Sequence, residues 1–343
     1  MARVLFRVLF SCVVAGAVVV AEGASTGRAS IKTKVREPYL GAIVVDANTG
    51  AVLFENGADE SGYPASVIKL MDILIIQERI ESGALSLTNT ITITKEVAQI
   101  GGSQVYLKEK EVVPVEDLIY ALMIQSANDA ATALALHVAG TTRQFVELMN
   151  RRAAELGMAA THFHSVHGLP PSSGDSPDVS TPRDLAKLGC EVVKHPAILK
   201  YTSTRERGFR GGTFIMRTHD RLLANVEGCD GLKTGYFTAG GFSIVATVQR
   251  GGRRIVAVLL GCPTREGRDK TAEELIAKGF MSLPPAPLPQ VAQPVAAAPE
   301  PPAKEVTAGP KHRTAKTVLM IAGAAIVLVA VLGIGIRIGS RQG

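Results

Sequence analysis

The chain has 343 residues, 46% hydrophobic and 20% charged, which supplies a sizeable core and excludes wholesale disorder. Trp is absent and aromatics are only 5%, too few for platforms that stack on bases or sugars. Of the net charge of +6, residues 1–24 hold +1 and residues 283–343 hold +4, so the body is nearly neutral and no nucleic-acid partner is expected.

The first 24 residues read as a secretory signal peptide. Arg3 and Arg7 make a basic start, residues 9–20 are apolar, and Ala21, Gly23 and Ala24 offer cleavage sites. The body, residues 34–282, mixes strands and helices. Residues 40–47 and 51–55 flank Asn48-Thr49-Gly50 as a hairpin, and residues 66–82 form an apolar helix ended by Gly83. Helices are predicted over 115–125, 128–139 and 143–156. A second hairpin pairs 242–249 with 254–260 around Gly251-Gly252, and a helix follows over 271–279. Strands at both ends with helices between them predict one sheet built from both termini.

Beyond the body, nine of the 18 prolines fall between Pro284 and Pro310, so residues 283–316 read as an extended Pro/Ala tether. Residues 317–336 are 20 positions without a charge, enough at about 1.5 Å per residue to cross about 30 Å of hydrocarbon. The predicted order is signal peptide, exported domain, tether, membrane helix and a cytoplasmic tail over 337–343. Cys12 falls in the signal peptide; Cys190, Cys229 and Cys262 leave either one disulfide with a free thiol or three thiols.

Three short motifs carry chemistry. Ser66 and Lys69 are three apart at a helix start marked by Pro64, so the amine can reach the hydroxyl. A lysine shielded from water loses its proton more easily and can then serve as general base. Ser126-Ala127-Asn128 lies between two predicted helices, where a hydroxyl and a carboxamide can point into one cleft; on its own it reads as a helix N-cap. Lys233-Thr234-Gly235 leads into a strand and suits a carboxylate, with Gly235 admitting close approach; on its own Lys233 reads as an exposed edge lysine.

Each motif occurs once, in the order Ser-x-x-Lys, Ser-x-Asn, Lys-Thr-Gly. With the stretches VVDANTGAVLFENGADE, YPASVIKLM, HGL, DVSTPRDLAKL and GCDGLKTGYFTAGGFSIVA, the chain resembles the D-alanyl-D-alanine carboxypeptidases. These are the low-molecular-weight penicillin-binding proteins of peptidase family S11. The resemblance implies an α/β fold of the α+β type: the serine β-lactamase and penicillin-binding-protein fold, with an antiparallel sheet flanked by helices and a mostly helical subdomain. It implies Ser66 as the acylated nucleophile, Lys69 as its base and Ser126 as the proton relay. Asn128 would bind the substrate amide, and Lys233, Thr234 and Arg268 its terminal carboxylate. The N–H groups of Ser66 and Tyr236 would form the oxyanion hole. Peptidoglycan stem peptides are the implied substrate and β-lactams the implied covalent inhibitors, with no cofactor.

Some positions depart from the family pattern. Ala127 stands where Gly or Ser is usual, and Phe237, two residues after Gly235, replaces a small side chain and is expected to narrow the cleft. The tether and spanning helix are expected to stand in place of the family's frequent second β-rich domain and amphipathic anchor. His162, His164 and His167 have a spacing that metal sites use, but His167 falls in the HGL segment, so no metal is expected. No Glu-x-x-Leu-Asn segment lies between Asn128 and Lys233, which argues against a class A β-lactamase. The expected activity is removal of the terminal D-alanine from stem pentapeptides. The alternatives are cleavage of DD cross-links and an inactive peptidoglycan-binding protein.

Overall fold

The computed structural model describes residues 31–172 and 175–283. The predicted signal peptide, spanning helix and tail, Cys12, and all of the predicted tether but Leu283 lie outside the described residues. By its internal contacts the chain divides into Met1–Ala286 and Pro287–Gly343, and the fold below belongs to the first unit. Among the described residues no helix is long and apolar enough to cross a membrane.

The chain opens with strands β1 (Gly41–Asp46) and β2 (Val52–Asn56), then a 3-10 turn (Ala65–Ile68) that runs into helix α1 (Lys69–Glu81). A helical region follows: β3 (Thr90–Thr92), α2 (Lys95–Ala98), β4 (Val112–Pro114), α3 (Val115–Tyr120) with a π turn (Ala121–Gln125), α4 (Asn128–Ala139) and α5 (Thr142–Glu155). Next come α6 (Pro182–Val192), α7 (Pro196–Thr202), the short pair β5 (Glu206–Phe209) and β6 (Phe214–Arg217), and α8 (Leu222–Asn225). The chain then returns through β7 (Cys229–Phe237), β8 (Gly241–Arg250) and β9 (Arg253–Cys262) to α9 (Arg265–Ser282).

The main sheet has the order β2-β1-β9-β8-β7, with every neighbouring pair antiparallel. Both ends of the body therefore meet in one sheet, with β1 paired to β9, as the pattern of strands predicts. Both faces of its centre are covered, which is why β9 reads as an unbroken apolar run rather than an alternation. Ile255, Ala257 and Leu259 pack with Ala272, Leu275 and Ile276 of α9. Val256, Val258 and Leu260 pack into the larger core that also holds Ile73 and Leu74 of α1 and Leu185 and Leu188 of α6.

Three elements differ from the sequence expectation in ways that shape the site. The helix expected from Ser66 begins as α1 only at Lys69, and Ser66 sits in the preceding 3-10 turn behind Ala65, whose φ is +50°. The helix expected over 115–125 widens after Tyr120 into a π turn that stops at Ser126 in the left-handed conformation, φ +59°. Helix α9 is twice its expected length. Thr264 caps it by accepting from the Gly267 N–H, so its charged first turns, hidden to apolar periodicity, are helical too.

Candidate active site

The three motifs converge. The 3-10 turn presents Ser66, the left-handed stop after the π turn presents Ser126, and β7, at the edge of the sheet, lies against the Ser66 turn. The closeness of that last contact is set by glycine. A Cβ on Gly235 would lie 2.4 Å from the Pro64 carbonyl oxygen and 3.1 Å from the Ser66 nitrogen. Gly168 closes the other side: its φ is +73°, and a Cβ there would sit 2.2 Å from the Ala65 oxygen.

Lys69 is the hub. It is wholly buried, its Nζ lies 3.1 Å from Ser66 Oγ and 3.3 Å from Ser126 Oγ, and it donates to the Ser126 carbonyl at 2.8 Å and to Asn128 Oδ1 at 2.6 Å. Burial and then the Lys233 charge push its proton affinity well below that of an ordinary lysine, against an opposing pull from Asp72 and Asp129. A neutral amine has two N–H donors and one lone pair. In that neutral form, with the donors on Ser126 O and Asn128 Oδ1, the lone pair can accept the Ser66 O–H, which otherwise lies 3.4 Å from the His167 carbonyl.

Asn128 does not cap α4. The N-cap position is Ala127, and the Asn128 carboxamide instead accepts from Lys69 and donates from Nδ2 to the Gly101 carbonyl at 2.8 Å. The capping reading of the Ser-Ala-Asn tripeptide fails because the π turn has already bent the chain before α4 starts. The exposed-lysine reading of Lys233 fails too. Lys233 is 3% exposed, donates to the Thr234 carbonyl at 3.0 Å, and is held down at about 7 by burial.

Above the two lysines opens a cleft of about 250 Å³, lined by Ser66, Ser126, Asn128, Thr234, Tyr236 and Arg268 among others. Every predicted site residue lies in this lining except Lys69 and Lys233, which are buried beneath it. Arg268 is itself buried and bonded through its guanidinium to Asp269, so it enters the cleft oriented. Phe237 stacks on Tyr63 with ring centroids 5.7 Å apart and forms part of the wall, the position from which a large side chain narrows a cleft. The Tyr236 ring stacks outward on Phe242 at 4.1 Å.

Sequence reasoning missed His219 and Arg265, which also line the cleft. Burial, then the charges of Lys233 and Arg265, hold His219 at about 4, so it is neutral near pH 7. Neither residue belongs to a spaced motif; the fold brings them in from the α8 approach and the start of α9. Among the described residues Arg265 and Arg268 line the cleft and no carboxylate does, so its field favours an anion. A larger cavity of about 600 Å³, bordered by His162, His164 and Asp178, includes no residue of the three motifs.

The three histidines have other engagements. His162 and His164 lie ring to ring at 4.5 Å, and His167 Nδ1 accepts from the Leu169 N–H. Glu78, Glu191 and His195 bring ligand atoms within 4.8 Å of one another, but the Arg152 guanidinium already bridges Glu78 and Glu191 at 2.8 and 2.9 Å. Cys190, Cys229 and Cys262 are three free thiols.

With an edge strand pressed against a Ser–Lys turn beneath a cleft, the fold is that of the penicillin-binding proteins. The likeness is direct: penicillin-binding protein D2 of Listeria monocytogenes, solved in its ampicillin-bound form, aligns with a TM-score of 0.65 at 31% identity, covering 71% of this chain and 98% of that one. Penicillin-binding protein 5 of Haemophilus influenzae aligns at 0.67 and 28% identity, over 74% of this chain and 73% of that one. The family model Peptidase S11, D-alanyl-D-alanine carboxypeptidase, matches residues 37–264, and the chain belongs to that family. It is 36% identical over 247 residues to the D-alanyl-D-alanine carboxypeptidase DacC of Escherichia coli and 31% identical over 242 residues to DacF of Bacillus subtilis. These alignments take in 69% and 70% of this chain but only 60% and 61% of the two relatives, so the chain spans about three fifths of their length.

Proposed function

We propose that this chain is a serine-type D-alanyl-D-alanine carboxypeptidase that removes the terminal D-alanine from peptidoglycan stem pentapeptides. The observation that carries this reading is the Lys69 amine, wholly buried and 3.1 Å from Ser66 Oγ at the floor of a cationic cleft. The free-base amine takes the Ser66 proton as Oγ attacks the carbonyl carbon of the penultimate D-alanine. The oxyanion accepts from the Ser66 and Tyr236 N–H groups. Thr234 and Arg268 hold the terminal carboxylate, with the Lys233 charge beneath, while Asn128 binds the peptide amide. Ser126 passes the proton from Lys69 to the leaving amine. Water, deprotonated by the same lysine, then hydrolyses the acyl-enzyme. β-Lactams acylate Ser66 by the same route, a reading supported by the ampicillin-bound form of the Listeria relative.

The same proposal places the domain outside the cytoplasm. The signal peptide exports it, and residues 317–336 anchor it through the Pro/Ala tether, a reading supported by the uncharged stretch and its basic flanks.

The test compares the full chain with Ser66→Ala, each incubated with a fluorescent penicillin and a diacyl-Lys-D-Ala-D-Ala peptide. Intact mass and released D-alanine are recorded. Label on wild type alone, with D-alanine release, is expected. Label without release points instead to cleavage of cross-links, and no label leaves an inactive peptidoglycan-binding protein.

A further inference from the structure

Three buried acids act on Lys69 or on one another, and two of them are fully engaged. Asp129 accepts the backbone N–H groups of Val105, Leu107 and Ala130. Asp178 accepts the N–H groups of His164 and Ser165 and the Ser165 hydroxyl. Asp72 is different. It is 2% exposed, and neither carboxyl oxygen has a hydrogen-bond partner among the described residues. An orphaned buried carboxyl is costly and asks for a physical reason.

Its place on α1 supplies one. Asp72 follows Lys69 by three residues, on the same helix face and in the first turn, where the helix dipole favours negative charge. Burial holds the Asp72 carboxyl well above the usual carboxylate range and Lys69 well below the usual lysine range, and the charge of each opposes that drive in the other. The other groups facing the pair are accounted for. Lys233 opposes a charge on Lys69, Asp129 supports it, and Asp178 opposes a charge on Asp72. His167 and His219 are held at about 4, mainly by burial, and are uncharged near neutral pH. The hydrogen-bond partners of Lys69 Nζ are two hydroxyls, a carboxamide oxygen and a backbone carbonyl, so none is an anion.

Resting on the acyl-transfer reading above, we infer that Asp72 is a positioning residue acting through Lys69: its carboxylate is the counter-charge of the ammonium that forms as Ser66 is acylated. In that step the Ser66 O–H bond breaks, the proton joins the Lys69 lone pair, and the Oγ electron pair attacks the carbonyl carbon. Asp72 neither gains nor loses a proton. When Ser126 carries the proton on to the leaving amine, Lys69 returns to the free base.

The experiment measures the second-order rate of acylation by a fluorescent penicillin against pH, for the full-length wild type and Asp72→Asn. The isosteric amide removes the charge and keeps the volume. With the counter-charge gone, Lys69 binds its proton less tightly, so the acid limb moves down by about one pH unit or more. The weaker base also lowers the plateau about tenfold or more. A limb that stays in place overturns the inference, whatever the plateau does, because a residue that only fills space does not move a titration. Should the variant fail to fold, the Asp72 carboxyl carbon of the wild type, followed by 13C NMR across the acid limb, decides the matter. An ionised carboxylate throughout supports the counter-charge, and a protonated carboxyl on the active side of the limb overturns it. Wild type that takes no label at Ser66 fails the acyl-transfer reading itself, an outcome separate from either of these.

Discussion

Lys69 and Lys233 are both buried beneath one cleft, and the charge of Lys233 helps keep Lys69 a base. Their duties differ, and so does the pH at which each is lost. Lys233, held at about 7 by burial, with Asp220 opposing and Arg268 adding to the depression, is charged below that pH and neutral above it. In the proposed role, its attraction for a substrate carboxylate is present on the acid side and fades as pH rises through about 7. Thr234 and the Arg268 guanidinium also line the cleft, so binding weakens without vanishing. The expected outcome is a KM for the D-Ala-D-Ala peptide that climbs between pH 7 and 9 while kcat changes less. Lys233→Met should flatten that climb and raise KM throughout. A wild-type KM that is level over this range would show that Lys233 keeps its charge. Lys69 works from the other side, since its protonation on the acid limb removes the base.

At the scale of elements, the site depends on an edge strand that touches a turn. Gly235 on β7 has no room for a methyl group, because the Pro64 oxygen would be 2.4 Å from it and the Ser66 nitrogen 3.1 Å. Gly235→Ala must push the strand and the nucleophile turn apart, while the long ladder from β7 to β8 keeps the strand in the sheet. A misplacement approaching 1 Å costs about 100-fold in rate, so penicillin acylation should fall by that order with little change in melting temperature. An acylation rate within about threefold of wild type would show that the turn adapts. The same contacts explain which parts of the fold could be read in advance. Both hairpins, α4 and α5 follow apolar period or turn residues, and each sits within two residues of its expected bounds. The 3-10 start before α1 and the π turn before Ser126 leave no periodic mark, because both are held by tertiary packing rather than local preference. Ser66, Lys69, Asn128, Lys233 and Arg268 were legible through motif and resemblance. His219, Arg265 and Asp72 were not, since a lone histidine, an arginine in a charged segment and an acid inside an apolar helix carry meaning only once the fold sets them around the cleft.

For the whole molecule, the question is what holds a nearly neutral catalytic body at its place of work. A net charge of only +1 over residues 25–282 gives the body little overall attraction to acidic lipid. The proposed anchor is residues 317–336, joined to the body by a segment rich in proline that, at about 3.1 Å per residue, can reach about 80 Å across residues 284–310. If that stretch spans the bilayer, penicillin-labelled full-length protein stays in the membrane pellet through high salt and alkaline carbonate and leaves it only in detergent. Deleting residues 317–343 then moves the label to the soluble fraction with its acylation rate unchanged, because no site residue lies beyond Arg268. Label that washes off in salt would mean surface association and reject the spanning helix. Label that stays in the pellet after the deletion would make the uncleaved leader the anchor, which the intact mass of the protein would confirm by retaining residues 1–24.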